Sequence, residues 1–281
     1  MTKNRLALWC LVAIPASVVA GVFIVPMFSI FLSSVGAGQP SLTLDYYHTV
    51  FTNPRYLNAL LDTMRISAIV TVVCVIAGYI VAYCIVTQIK SSLLRRLAYI
   101  TIVLPLFTSN IVRSFGFMLL LGRKGPVNES LIGSGLIEKP LRLLYNEFSV
   151  VLGLAYISLP FVVLAIVASL QAIKGELASA SSDLGATPAG TFWHVTLPLS
   201  LPGVVSGAVL AFTLCVSAYV TPSVMFGGRG TVMSIEIYDQ YMSASNFPMG
   251  AALAICLTIA AILVVAIQVL IFNRSMRWAS A

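Results

Sequence analysis

Few residues in this chain are placed to break or make bonds. The imidazoles, His48 and His194, fall in different polar segments. Cys10, Cys74, Cys84, Cys215 and Cys256 all sit inside apolar runs with no Cys-x-x-Cys pair, so they read as packing residues, not metal ligands or disulfides. Neither a glycine-rich phosphate loop nor a nucleophile–base pair can be read. The expectation is a non-catalytic chain that binds no metal or cofactor of its own.

What remains are charges and aromatic rings in unusual company. Arg113 lies inside an apolar run, where a charge at mid-bilayer costs about 2.5–3.5 kcal/mol on insertion scales. It must face protein or water, so it either lines a cavity or gate, or is a snorkelling or internally paired arginine. Asp62 and Arg65 lie three apart and suit a pair on one helix face. Glu236 and Asp239 share that spacing and read first as a solvated face, with cation attraction or partner docking as the alternative. Tyr219, at the end of an apolar run, could stack on a substrate amine or belong to an interfacial tyrosine belt.

The elements that position these residues are membrane spans. Hydrophobic residues make up 59% of the 281 and charged residues 9%, against about 25% charged in ordinary globular chains. Mean hydropathy is +0.99. A charge of +7 would suggest nucleic acid in a soluble chain, but here the bases sit at span ends and serve anchoring and topology. Apolar runs predict an all-α polytopic protein with six spans, near 6–32, 63–86, 97–121, 149–173, 204–224 and 249–272, as a single domain over 1–281. The first run exceeds the roughly 7–15 residues of a signal-peptide core and reads as a retained span. Six spans put both termini and the segments at 87–96 and 174–203 on one side. The dense basic cluster Lys90, Arg95 and Arg96 marks that side as cytoplasmic.

The segment Leu177–Gly203, LASASSDLGATPAGTFWHVTLPLSLPG, is too polar and too rich in Gly and Pro to span. Pro188, Pro198 and Pro202 each lack a backbone donor, which predicts that no single helix runs through it. The local signals give a short helix from about Glu176, a break at Gly185, and a second short helix with Thr187 as N-cap and Pro188 in its first turn. Phe192, Trp193 and Val195 are then apolar side chains in a water-exposed loop, which implies a covering partner.

This segment resembles the coupling loop of ABC-importer permeases, where Glu-Ala-Ala is followed after three residues by Gly and, after nine more residues, by Ile-x-Leu-Pro. Here Asp183-Leu184-Gly185-Ala186 and Val195-Thr196-Leu197-Pro198 keep that spacing, while Ser179-Ala180-Ser181 replaces Glu-Ala-Ala. The resemblance extends through LTLDYYHTVF, TSNIVRSFGFMLLLG, SAYVTPSVMFGG and IYDQYMSASNFPMGAALA to the first permease subunit of spermidine/putrescine-type importers. It implies a type I importer fold with a cytoplasmic coupling helix, in which Ser179, Ala180, Asp183, Gly185, Phe192, Trp193, Leu197 and Pro198 contact an ATPase. Arg113, Tyr219 and Thr221 are the candidate pathway residues.

The implied partners are a second permease subunit, two cytoplasmic ATPase subunits that bind ATP and Mg, a periplasmic substrate-binding protein and membrane lipid. The implied place is a bacterial inner membrane, and the implied cargo a polyamine or another small polar solute. An ion-gradient-driven transporter or channel is the alternative. That class expects mid-span acids and often inverted repeats, neither of which is evident.

Overall fold

The computed structural model describes residues 2–36 and 43–279. The side chains of Ser179 and of the terminal bases Lys3, Arg5, Arg274 and Arg277 lie outside the described ones, as does that of Cys10. Among the described residues all the regular structure is helical. In order come α1 (Thr2–Ser34), α2 (Asp45–Thr52), α3 (Pro54–Tyr83), α4 (Ser92–Val103), α5 (Asn110–Leu121), α6 (Pro126–Gly133) and α7 (Glu147–Ala172). There follow α8 (Gly175–Asp183), α9 (Pro188–Thr191), α10 (Leu197–Val216), α11 (Val220–Phe226), α12 (Met233–Tyr238) and α13 (Phe247–Ala279). Among the described residues, five helices are long and apolar enough to cross a membrane, and a bent pair makes a sixth if counted as one span.

Two of the expected spans take a different form. The third, read as one run over 97–121, is two helices bent by 102°. Pro105 sits in a 3-10 turn, Leu104–Phe107, and Thr108 and Ser109 are extended, so the α-helical ladder stops there. The fifth begins earlier than the expected 204. The helical path runs unbroken from Pro188 to Val216 through a π turn at Phe192–Thr196, so the prolines do not end it. Pro198 lies in the first turn of α10, where a missing donor costs little, and the π turn next to it already shifts bonding to the residue five back. Leu197 and Pro198 therefore belong to the span helix and not to the loop.

The chain divides into two compact units, Met1–Asn58 with Glu236–Thr258 and Ala59–Ile235 with Ile259–Ala281. In the first, Ser34 Oγ lies 2.6 Å from the Tyr47 hydroxyl, and Arg55 Nε donates to Glu236 at 2.8 Å. Glu236 is 1% exposed, so the solvated face expected there is instead a buried carboxylate held by a long-range ion pair. Asp239 lies 3.9 Å from the same guanidinium.

The second unit is built around α7, whose buried face runs from Val150 through Leu154, Val162 and Ile166 to Leu170. Lipid tails are as apolar as these side chains, so close van der Waals contact, not hydrophobic exclusion, must hold spans together. Small residues supply that closeness. A Cβ on Gly203 of α10 would come 2.6 Å from the Ala165 carbonyl oxygen and 3.1 Å from Ile166 Cα. Gly78 on α3 and Gly207 on α10 both rest against Val162. Gly153 lets Thr221 and Met225 of α11 press onto the other end of α7. Asn146 caps α7 in a reciprocal capping box with Ser149.

Because the obstruction at Gly203 is backbone, Gly203→Leu should lower stability by about 1–3 kcal/mol or more, the usual cost of overpacking. Gly21→Leu on α1, with nothing within 4 Å, should change little. Thermal unfolding of the purified chain in detergent compares the two, and equal melting temperatures would remove this packing account.

Candidate functional site

Two regions carry the residues singled out by sequence. The first is the turn between α8 and α9. The Ala186 amide donates to the Ser181 carbonyl at 3.1 Å, and Gly185 between them sits at φ +81°, which is a Schellman closure with glycine at the left-handed position. Thr187 Oγ accepts from the Gly190 amide at 3.1 Å, so the expected N-cap forms. A Ser181–Thr191 hydroxyl contact of 2.9 Å ties α8 to α9. The turn is thereby fixed by its own hydrogen bonds.

Phe192 and Trp193 part company. Phe192 turns inward, edge-on to Tyr79 and Tyr83 of α3 with ring centroids 5.9 and 5.3 Å away. Tyr79 in turn meets Ser200 Oγ at 2.9 Å. Trp193 stands edge-on to Phe192 at 5.5 Å yet stays 63% exposed, and Leu184 beside the turn is 89% exposed. Ala180 and Asp183 are exposed as well, whereas Leu197 and Pro198 are half-buried in the first turn of α10. Sequence reasoning missed Tyr79 and Tyr83. Their four-residue spacing at the end of a span was the available signal.

The second region is the bend between α4 and α5. Arg113 is buried at 8% exposure. Its Nη2 donates to the carbonyls of Pro105 and Thr108, and its Nη1 to Asn110 Oδ1 at 3.1 Å. The guanidinium also lies 5.8 Å from the Tyr156 ring centroid on α7. Of the two sequence alternatives, internal bonding is thus met: the cation donates to the Thr108 carbonyl at the break and adds a second donor to that of Pro105, which also accepts from the Thr108 amide at 3.3 Å. Next to it, Ser114 Oγ lies 3.3 Å from Thr221 Oγ1, and Thr221 is 4% exposed. Arg113 and Thr221 are therefore brought to adjoining positions, where α5, α7 and α11 meet. Tyr219 is half-buried and occupies the N-cap position of α11. The Asp62–Arg65 pair forms at 3.3 Å, and Arg65 also reaches Glu147 on α7 at 2.8 Å.

The profile of binding-protein-dependent transport system inner membrane components matches residues 74–278. The chain belongs to that family. It is 30% identical over 235 residues to the spermidine/putrescine transport system permease protein PotB of Escherichia coli K12, covering 84% of this chain and 83% of that protein. Its fold matches a bacterial ABC transporter involved in the import of the acidic polysaccharide alginate, with a TM-score of 0.78 and 19% identity over 97% of this chain and 98% of that one. A bacterial alginate ABC transporter in complex with an alginate pentasaccharide-bound periplasmic protein matches at 0.77 with 17% identity, over 98% and 96% of the two chains. The protein is a multi-pass inner-membrane permease subunit of an ABC importer, and a non-catalytic one.

Lysine carries the charge of Arg113 but not its planar fork, so it cannot bridge several acceptors in one plane. Arg113→Lys should leave at least one carbonyl of the bend unsatisfied, at about 1–3 kcal/mol. A lowered melting temperature in detergent is expected, and an unchanged one would show that the bend does not depend on this bridge.

Proposed function

We propose that this permease works with a second permease subunit, two cytoplasmic ATPase subunits and a periplasmic binding protein, and that its cargo is a polyamine. Both termini and the α8–α9 turn are assigned to the cytoplasm, in line with the basic cluster at Lys90, Arg95 and Arg96. The observation that carries the coupling role is the division of labour at the turn. Phe192 is locked onto α3 while Trp193 and Leu184 are presented outward on hydrogen-bonded geometry. A partner closing over those side chains would push on α3 and α10 together, because the aromatic brace and the unbroken helical path leave little slack. Ser179, Ala180, Asp183 and Gly185 belong to the same contact. ATP and Mg would be bound by the partner.

Arg113, Tyr219 and Thr221 are assigned to the pathway region, with Arg113 acting through the bend it holds and not by touching cargo. That role also removes a tension, since a cation lining the path would repel a polyamine. The polyamine assignment rests on the likeness to PotB.

The decisive experiment reconstitutes the chain with its partner subunits in vesicles and follows spermidine and putrescine uptake. Uptake should require ATP and the binding protein. Uptake driven by an ion gradient without ATP would overturn the reading, and uptake of another solute alone would overturn the cargo.

Two substitutions test the coupling turn. Gly185→Val forces a branched side chain into the left-handed region, although a Cβ there would meet nothing within 4 Å, so its effect must come from the backbone. Trp193→Ala removes an exposed anchor, which at about 1.5–3 kcal/mol of burial weakens the contact roughly tenfold or more. Both should reduce ATPase co-purification or uncouple hydrolysis from uptake. Normal assembly and coupling in both variants would sink the docking assignment.

A further inference from the structure

At the end of the second unit away from α8 and α9, the last turn of α5, the strand of chain before α7 and the turn after α11 enclose a cavity of about 520 Å³. That volume lies within the roughly 300–1,000 Å³ usual for small-molecule sites. Three guanidinium groups line it, those of Arg123, Arg142 and Arg229. Among the described residues none of them has a carboxylate within ion-pair distance. The nearest acid in sequence to Arg142, Glu147, is engaged by Arg65 at 2.8 Å, while Glu129 and Glu138 do not line the cavity.

The wall is built, not incidental. Arg229 lies over the Tyr145 ring, 5.7 Å from its centroid. Tyr145 itself holds φ +62°, a conformation non-glycine residues rarely adopt. Gly227, at φ +55°, packs so close to that ring that a Cβ would meet its Cε1 at 2.5 Å. Two left-handed positions thus fix the aromatic platform under the arginine.

We propose that this cavity binds the phosphodiester headgroup of an anionic phospholipid. Three uncompensated guanidinium groups repel a polyamine and favour an anion, which they can bind with bidentate geometry. The apolar part of the wall selects among anions. Met118 and Leu119 belong to the last turn of a membrane helix, and Leu119 is 71% exposed, so an acyl chain can run along it while the phosphate sits among the arginines. A soluble phosphate or an acidic peptide would leave that wall unused. The inference depends on the membrane placement of the chain, not on its cargo or its ATPase contact.

The test uses the full-length chain purified in detergent and native mass spectrometry with added phosphatidylglycerol or phosphatidylethanolamine. Phosphatidylglycerol should be retained preferentially, and each of Arg123→Gln, Arg142→Gln and Arg229→Gln should weaken its retention about fivefold. Arg96→Gln, at the opposite membrane face, should not. If the triple glutamine variant fails to fold, the single variants and a triple Arg→Lys variant, which keeps the charge and part of the retention, decide the matter. Equal retention of the two lipids, or retention unchanged in all three single variants, would overturn the proposal. So would displacement of the lipid by inorganic phosphate, which would mark a soluble-anion site, or by an oligoglutamate peptide, which would mark a protein-docking site.

Discussion

Inside a bilayer there is no water to take up a freed carbonyl, so wherever this chain interrupts a helix it must bring its own donor. The break between α4 and α5 is the sharpest case. Pro105 removes a donor and turns the chain, and Arg113 reaches back from the next helix to the carbonyls of Pro105 and Thr108. A cation that looks misplaced in the linear sequence is thus the partner of groups the bend exposes. Its contact with Tyr156 ties the bend to α7, the helix on which α3, α10 and α11 also pack.

The same constraint shapes the other irregular stretch by different means. Between α8 and α10 the backbone groups are satisfied by a Schellman closure, a threonine cap and a π turn, with side chains from α3 bracing the result. The turn is therefore polar enough to leave the membrane and is fixed by its own bonds and by α3. Small residues do the complementary work in the spans. Gly203, Gly207 and Gly78 let α10 and α3 approach α7 until backbone and Cβ atoms touch.

Much of this was legible in the sequence, because its causes are local or compositional. Apolar runs set the spans, the Gly185–Thr187–Pro188 signals set the helix break and the cap, and the Asp62–Arg65 spacing set an ion pair that forms. The spacing from Gly185 to Pro198 was enough to mark the family. Each of these depends on residues within a few positions of one another or on the polarity of a whole segment.

What only the tertiary structure decided depends on residues far apart in the chain. Glu236 read as solvated by its own neighbourhood, and its partner Arg55 lies 181 positions away. Phe192 and Trp193 are adjacent and chemically alike, yet one is claimed by Tyr79 and Tyr83 and the other stays exposed. Pro198 looks like a helix breaker by type, but a first-turn position beside a π turn accommodates it, and the helix continues through Pro202 as well. Three arginines from three segments meet around one cavity only because α5, α7 and α11 converge there. Sequence specifies the local preference of each residue, whereas burial and charge pairing are properties of neighbours that folding alone brings together.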